Sequence, residues 1–518
     1  MKRWIHAVRI LVVVTLLGLG HTLAQGLVEA VWGIEQGFVT LDPADRGSAP
    51  DAHFEELIFD RLIQRPDHFN LDGTVPEWRP GLATSWSANA DGTVWTFNLR
   101  QGVEFHKGYG PFTGDDVKFS FDRMADPANN FPRQGEYNMV REIVIVDDYT
   151  VEMRLVEPFA PFLLYIAIQE GGKIVSRRAV EEMGNAQFAQ NPIGTGPYVF
   201  ESAVPGGEIV VVANEAYWGG RPEVDVARLV VIPDQSVQAL AMLRGEVDWI
   251  RIRDSTIYRQ LLGQPGIQII RHPTAAFQNW EVWLNTERGP LGDKRVRHAM
   301  LHALDREAMV EAFIPDLSAG TAWTFVRPSH VGQLPREELP AYEFDPEKAR
   351  QLLAEAGYAN GFTVSTVAIN QAFMTDMLTA MKEYWADVGI TLEIEVLDIA
   401  AWNARLAAGD FDMWVGSSGR AEIDQVLFNY HSANPPSSRG NYSRYNNPWV
   451  DNLIELQRAT LDVEARANII RELQQIIMED LPVLPIVYIQ DVTAVSDRFD
   501  VPDNMFTWYW KTDRFAVR

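Results

Sequence analysis

Strand-like and helix-like segments alternate along this chain, and that order limits the fold more than any other feature of the sequence. Val226 to Ile232 reads as a strand, Ser236 to Leu243 as a helix, and Val247-Asp248-Trp249-Ile250 as a short strand. A β-α-β succession of this kind points to a mixed sheet with helices packed on it, an α/β fold.

The same style extends in both directions. Leu27 to Trp32 reads as a strand that runs into a turn at Thr40-Leu41-Asp42-Pro43. Ala52 to Leu62 has helical spacing of Phe54, Leu57, Ile58 and Leu62. Thr93 to Leu99 alternates strictly, Val144 to Met153 reads as two strands around an acidic turn, and Ile209 to Ala213 has hairpin character. In the second half, helices are expected at Lys294 to Phe313, Pro346 to Ala356, Thr375 to Val388 and Val450 to Asp480. Strands are expected at Phe362 to Ala368 and Thr391 to Leu397. Asp345, Pro346 and Gly357 supply a cap, a first helical residue and a stop. Asp115-Asp116 reads as a helix start, and Asp293, Arg297, Asp305 and Arg306 are expected to form ion pairs that clamp a helix. No fixed-period repeat or long flexible linker interrupts the pattern. With 518 residues the chain should hold two or three domains, interleaved by crossing segments.

Composition narrows the function. The 70 acidic residues against 45 Lys plus Arg give a formal charge of -25, so no nucleic-acid partner is expected. The chain has no cysteine, which excludes disulfides, thiolate metal sites, a catalytic thiol and a lipid attached through an N-terminal cysteine. Lys2, Arg3 and Arg9 precede an apolar run from Ile10 to Leu19, and Thr22-Leu23-Ala24 offers small residues to a signal peptidase. Residues 1–24 therefore read as a secretory signal, the run being too short for the roughly 20 residues of a permanent membrane span.

Searches for catalytic chemistry mostly fail. His298 and His302 lie four apart on a predicted helix, but position 299 is Ala, so the His-Glu pair of a zinc protease is missing. Gly194-Thr195-Gly196 lacks the Lys-Ser or Lys-Thr of a phosphate loop and reads as a tight turn. No Gly-x-Ser-x-Gly elbow occurs, and no local arrangement singles out a glycosidase pair among the many carboxylates. No enzyme activity, cofactor or metal is expected.

The run Leu99-Arg100-Gln101-Gly102-Val103-Glu104-Phe105-His106-Lys107-Gly108, continuing to Phe112-Thr113-Gly114-Asp115-Asp116-Val117-Lys118-Phe119-Ser120-Phe121, resembles the signature of extracellular solute-binding proteins of family 5. Similar matches follow in order at Asn191 to Tyr198, Asn214 to Gly220, Gly245 to Asp248, Asn285 with Pro290 to Arg297, Ala303 to Glu307, and Phe344 to Arg350. The family comprises the oligopeptide, dipeptide and nickel binding components of ABC transporters. The resemblance implies a bilobal periplasmic-binding-protein type II fold with an extra inserted domain and two hinge segments, closing on ligand. It places lobe 1 at residues 25–59, 191–276 and 486–518, the inserted domain at 60–190 and lobe 2 at 277–485. The crossings would fall near His272 to Gln278 and Leu484 to Tyr488.

The implied function is capture of a peptide or peptide-like solute by a monomer and delivery to an ABC permease at the inner membrane. With a signal and no cysteine to lipidate, the protein would be free in the periplasm. In peptide-binding relatives a tryptophan and an aspartate follow the strand equivalent to Gly409 to Gly416, and the aspartate holds the peptide's amino terminus. Here Ser417, Ser418, Gly419, Arg420 and Ala421 stand at those places, with Glu422 and Asp424 as substitutes and Arg420 as a cation suited to an anion. Trp280, Trp283, Trp402 and Trp414 are expected near the cleft, with Arg46 and Ser48 after the first turn, whereas Trp32, Trp86, Trp95, Trp218 and Trp385 fill the core. Alternatives are an oligosaccharide, opine or nickel-chelate binder and, from another class, a secreted hydrolase.

Overall fold

Two long strands, Ile267–Leu284 and Val483–Ser496, pair antiparallel and carry the main sheet from one half of the molecule to the other. This computed structural model describes residues 27–38, 40–45, 51–64, 78–132, 134–167, 172–328, 330–369, 372–418, 422–434, 440–501 and 516–518. The expected signal at 1–24 lies outside the described residues.

Among the described residues eleven strands form one mixed sheet, one of them, Ser318–Thr321, pairing with Val483–Ser496 off the main order. On one side of the long pair run Met413–Ser418, Phe362–Ile369 and Ile390–Leu397, the last two in parallel. On the other side come Trp249–Ile252, Glu29–Ile34 and Val226–Val231, followed by the hairpin Glu208–Ala213 and Tyr198–Ala203. The register of the long pair shifts between Arg271 and Ala276 and again between Ala276 and Gln278. A separate four-stranded antiparallel sheet is built from Ala83–Ala88, Val94–Leu99, Thr150–Leu155 and Val140–Asp147. The acidic turn read from the sequence joins the last two of these.

The apolar cores follow the sheets. The fully buried members of one large core all lie between Val282 and Val487. A second joins the small sheet to the near side of the main sheet, from Ala30 through Phe54, Phe97, Phe121 and Phe162 to Leu229. Trp32 and Trp385 are buried, while Trp86, Trp95 and Trp218 are half-buried against the second core.

Three sequence expectations need correction. The helix expected over Lys294 to Phe313 is two helices, Lys294–His302 and Arg306–Phe313, because Asp305 caps the second by accepting from Ala308 N. The helix expected over Val450 to Asp480 is likewise Pro448–Ala459 and Val463–Asp480, with Asp462 as the second cap. Apolar periodicity persists across both breaks, so spacing alone hides them. Third, Arg297 and Arg306 clamp backbone rather than acids. Arg297 donates to the carbonyls of Leu291, Gly292, Asp480 and Leu481, and Arg306 to those of Ala322, Tyr342 and Pro485.

Other motifs have local reasons. The Asp116 carboxylate closes a capping box with Thr113 at the start of Gly114–Ala125. The first helix, Asp51–Ile58, ends where Gly194 and Gly196 press against it, and Gly196 N donates to Ile58 O at 2.8 Å. A Cβ at either glycine would collide with the Ile58 carbonyl, so close approach explains them.

Candidate functional site

Strand alternation places Asn279, Glu281 and Trp283 on one face of Ile267–Leu284. The neighbouring strand sets Gly416 opposite Glu281 and Trp414 opposite Trp283. A Cβ on Gly416 would run into the six-membered ring of Trp414. The Trp414 indole therefore lies over Gly416, beside Glu281, in space that only a glycine leaves open.

Aromatic rings build a wall on this face. Trp283 stacks on Trp414 with centroids 5.7 Å apart and planes at 14°, and on Tyr430 at 6.1 Å. Trp402 meets the edge of Trp414 at 5.6 Å, Tyr442 meets Trp414 at 5.2 Å, and Phe325 tilts against Tyr430 at 4.7 Å. Tyr430 comes from the 3-10 turn Phe428–Tyr430 after the helix Ile423–Leu427.

Several buried polar atoms on this wall have no protein partner among the described residues. Glu281 is 0 % exposed, and among the described residues its one hydrogen bond is from Asn279 Nδ2 to Oε1 at 3.3 Å. Among the described residues Oε2 has no partner, nor do the indole nitrogens of Trp283, Trp402 and Trp414 or the hydroxyl of Tyr430. Buried polar groups are usually paired, so five buried atoms without a protein partner near one sheet face set this region apart as the candidate site. Burial pushes the Glu281 carboxyl up to about 8, only partly offset by Asn279 and the Arg327 charge. Arg327 itself meets His330 Nε2 at 2.9 Å. The Tyr430 hydroxyl is pushed well above its usual range by burial and by the Glu281 charge.

The sequence-derived candidates fall into distinct groups. Trp283, Trp402 and Trp414 come together in the wall. Trp280 is half-buried on the opposite strand face, and Ser418 pairs with Asn279 in the ladder. Arg46, Ser48 and Arg420 lie outside the described residues. Glu422 caps Ile423–Leu427 by accepting from Asp424 N, and its other oxygen holds Arg466 Nη2 at 2.7 Å. Asp424, fully buried, accepts from Gln457 Nε2 and Arg458 Nε, both at 2.6 Å, and from the Tyr165 hydroxyl at 2.9 Å. All four oxygens of these two carboxylates thus have protein donors. His298 and His302 bond the carbonyls of Glu479 and Glu343. Sequence reasoning missed Asn279, Glu281 and Tyr430. The available signal was an acid placed between tryptophans in an alternating strand, Trp280-Glu281-Val282-Trp283.

A family model described as "Bacterial extracellular solute-binding proteins, family 5 Middle" matches residues 77–438. The chain belongs to this family. Similar family 5 relatives include the heme-binding protein A of Haemophilus influenzae, 29 % identical over 86 % of this chain and 84 % of that one. The dipeptide-binding protein of Escherichia coli is 27 % identical over 83 % of each. In structure, the ABC transporter-associated periplasmic binding protein DppA from Helicobacter pylori, solved with the peptide STSA, superposes with a TM-score of 0.83. It is 25 % identical and the match covers 94 % of this chain and 98 % of that one. Family 5 proteins bind solutes for ABC transporters and are not enzymes, so the open polar wall belongs to a binding protein. Among the described residues no helix is long and apolar enough to cross a membrane.

Proposed function

We propose that this chain captures a peptide or peptide-like solute between two lobes and delivers it to an ABC permease. The observation that carries this reading is the buried aromatic wall with its open carboxyl, indole and phenol atoms. A solute-sized guest with both donors and acceptors satisfies those atoms, and ring faces suit side chains or flat groups. Likeness over nearly the whole chain to a protein solved with a bound peptide supports the same class of solute.

The domain partition follows from the same reading. Lobe 2 is residues 277–485, in keeping with a core whose fully buried members run from Val282 to Val487. The inserted domain is 60–190, around the small sheet, and lobe 1 is 25–59, 191–276 and 486–518. The two crossings are the paired long strands, and the register shifts around Ala276 give backbone slack where a hinge would bend. The protein works as a periplasmic monomer, with residues 1–24 as its export signal.

A thermal-shift panel of short peptides, opines, oligosaccharides and a nickel-histidine chelate tests the reading. Stabilisation by peptides is expected, about 2.7 kcal/mol at 100 times the dissociation constant. Stabilisation by only a sugar, an opine or the chelate would overturn it.

A further inference from the structure

We infer that residues 315–321 form a third, non-covalent crossing between the lobes, anchored in lobe 1 by the Leu317 side chain, and that this strap limits how far the lobes open. The inference rests on the proposed two-lobe partition and adds a device to its hinge. One apolar core draws on the helices Gln235–Leu243 and Ser255–Leu261 and on two strands, with Met242, Ile250, Ile257, Leu261 and Val492 among its buried members. Leu317, 2 % exposed, belongs to this core, although every other buried member among the described residues lies in lobe 1. Three residues earlier, Ile314 is buried in the lobe 2 core. The chain therefore leaves one lobe, plants a leucine in the other, and returns.

The backbone holds the strap against a crossing strand. Gln490 N donates to Leu317 O at 2.8 Å, Ser318 and Thr321 stand opposite Ile489 and Val487, and Ala322 N donates to Ile486 O at 3.1 Å. Trp249–Ile252 of lobe 1 pairs with the same strand from Val492 to Val495, so segments from both lobes share one edge of Val483–Ser496. The other edge faces Ile267–Leu284, where the register shifts between Arg271 and Ala276 and between Ala276 and Gln278. One edge of the crossing is thus held and the other has slack, and lobe movement pivots on the held edge beside Leu317. Arg259 Nε also comes within 2.8 Å of Asp316 Oδ2, but the Arg259 side chain is 62 % exposed and water screens the pair. Burial of Leu317 therefore carries the anchor. Opening far enough to draw it out would expose the leucine and leave a cavity in lobe 1, which keeps the wide-open population low and slows solute release.

Because the chain has no cysteine, introduced cysteine pairs can carry spin labels without background. Glu215→Cys with Glu347→Cys spans the lobes at side chains 74 % and 87 % exposed, and Glu287→Cys with Glu347→Cys lies within lobe 2. Pulsed electron spin resonance of the unliganded protein compares wild type, Leu317→Ala, Leu317→Met and Asp316→Asn for each label pair. Leu317→Ala is expected to raise the population beyond the wild-type inter-lobe peak by about twofold or more and to leave the intra-lobe distance unchanged. Leu317→Met, which keeps the volume, and Asp316→Asn should follow the wild type. An inter-lobe distribution in Leu317→Ala that matches the wild type, or moves only to shorter distances, overturns the strap and leaves the two-lobe reading standing. If Leu317→Ala spreads both label pairs alike, Leu317 fills a core without limiting opening, and the inference is again overturned. An inter-lobe distribution in the wild type no wider than the intra-lobe one would overturn the two-lobe reading and the strap with it. No solute is added, so the result is independent of what the protein binds.

Discussion

The phenol of Tyr165 donates to Asp424 Oδ2 at 2.9 Å, joining residues 259 positions apart in the chain. Nearby, Ala160 N donates to Arg458 O at 2.7 Å, and the Leu461 side chain packs on Gly92, 2.7 Å from where a Cβ would stand. These contacts tie the region of the small sheet to helices of the Val282 to Val487 core. In the proposed partition they fasten the inserted domain to lobe 2.

Tyr165→Phe removes the hydrogen bond to the buried Asp424 carboxylate and keeps the ring. A loss of about 1.5 kcal/mol from the fastened state is expected, which is roughly tenfold in apparent solute affinity if fastening accompanies capture. Isothermal titration of wild type and variant with one peptide measures it, and equal affinities would separate the contact from binding.

Arg306 is a second structural prediction. Its guanidinium, 4 % exposed, holds three carbonyls from distant segments, at 2.7 Å to Ala322, 2.8 Å to Tyr342 and 3.0 Å to Pro485. Arg306→Met would leave all three acceptors without this donor and should cost about 3 kcal/mol in urea unfolding. Arg306→Lys offers a point donor in place of a planar fork and should recover only part of that.

Gly416→Ala tests the geometry of the wall. The new methyl meets the Trp414 ring, so the indole must move from beside Glu281. Overpacking of this kind costs about 1–3 kcal/mol. A lowered melting temperature with a changed tryptophan emission spectrum is the expected pair of results, and an unchanged spectrum would contradict the ring's position.

Glu281 also gives stability a pH dependence of known sign. Its carboxyl has an ordinary value of 4.5 and is raised to about 8 in the fold, so between these values the folded protein holds one more proton than the unfolded chain. The contribution is full below about 4.5 and falls as pH rises toward about 8, by about 1.4 kcal/mol per unit. Urea unfolding of the unliganded protein at pH 5.5 and 7.5 should therefore show wild type losing ground to Glu281→Gln at the higher pH. A difference that stays constant would contradict the buried, unpaired state of this carboxyl.

Much of the fold was readable because its signals are local. Alternation found Val94–Leu99, and Asp345, Pro346 and Gly357 marked the helix Pro346–Glu355 and its stop. Helix breaks at Asp305 and Asp462 were missed although both acids are ordinary caps, since apolar spacing runs through them. The site divided in the same way. Trp283, Trp402 and Trp414 are conspicuous by type, so they were found. Glu281 is one of 70 acids, and what distinguishes it is burial without a partner, a property of tertiary structure. Glu422 and Asp424 were flagged by their place after a strand, but the arginines that occupy them come from helices more than thirty residues further on.

The central claim is that this family 5 protein holds a peptide-like solute on the aromatic wall of lobe 2. Native mass spectrometry of protein purified without denaturation, before and after incubation with a diverse short-peptide mixture, tests it most directly. One peptide per chain is expected, recovered chemically intact and lost when Trp414 is replaced by Ala. A wild-type protein that carries no peptide before or after incubation would contradict it.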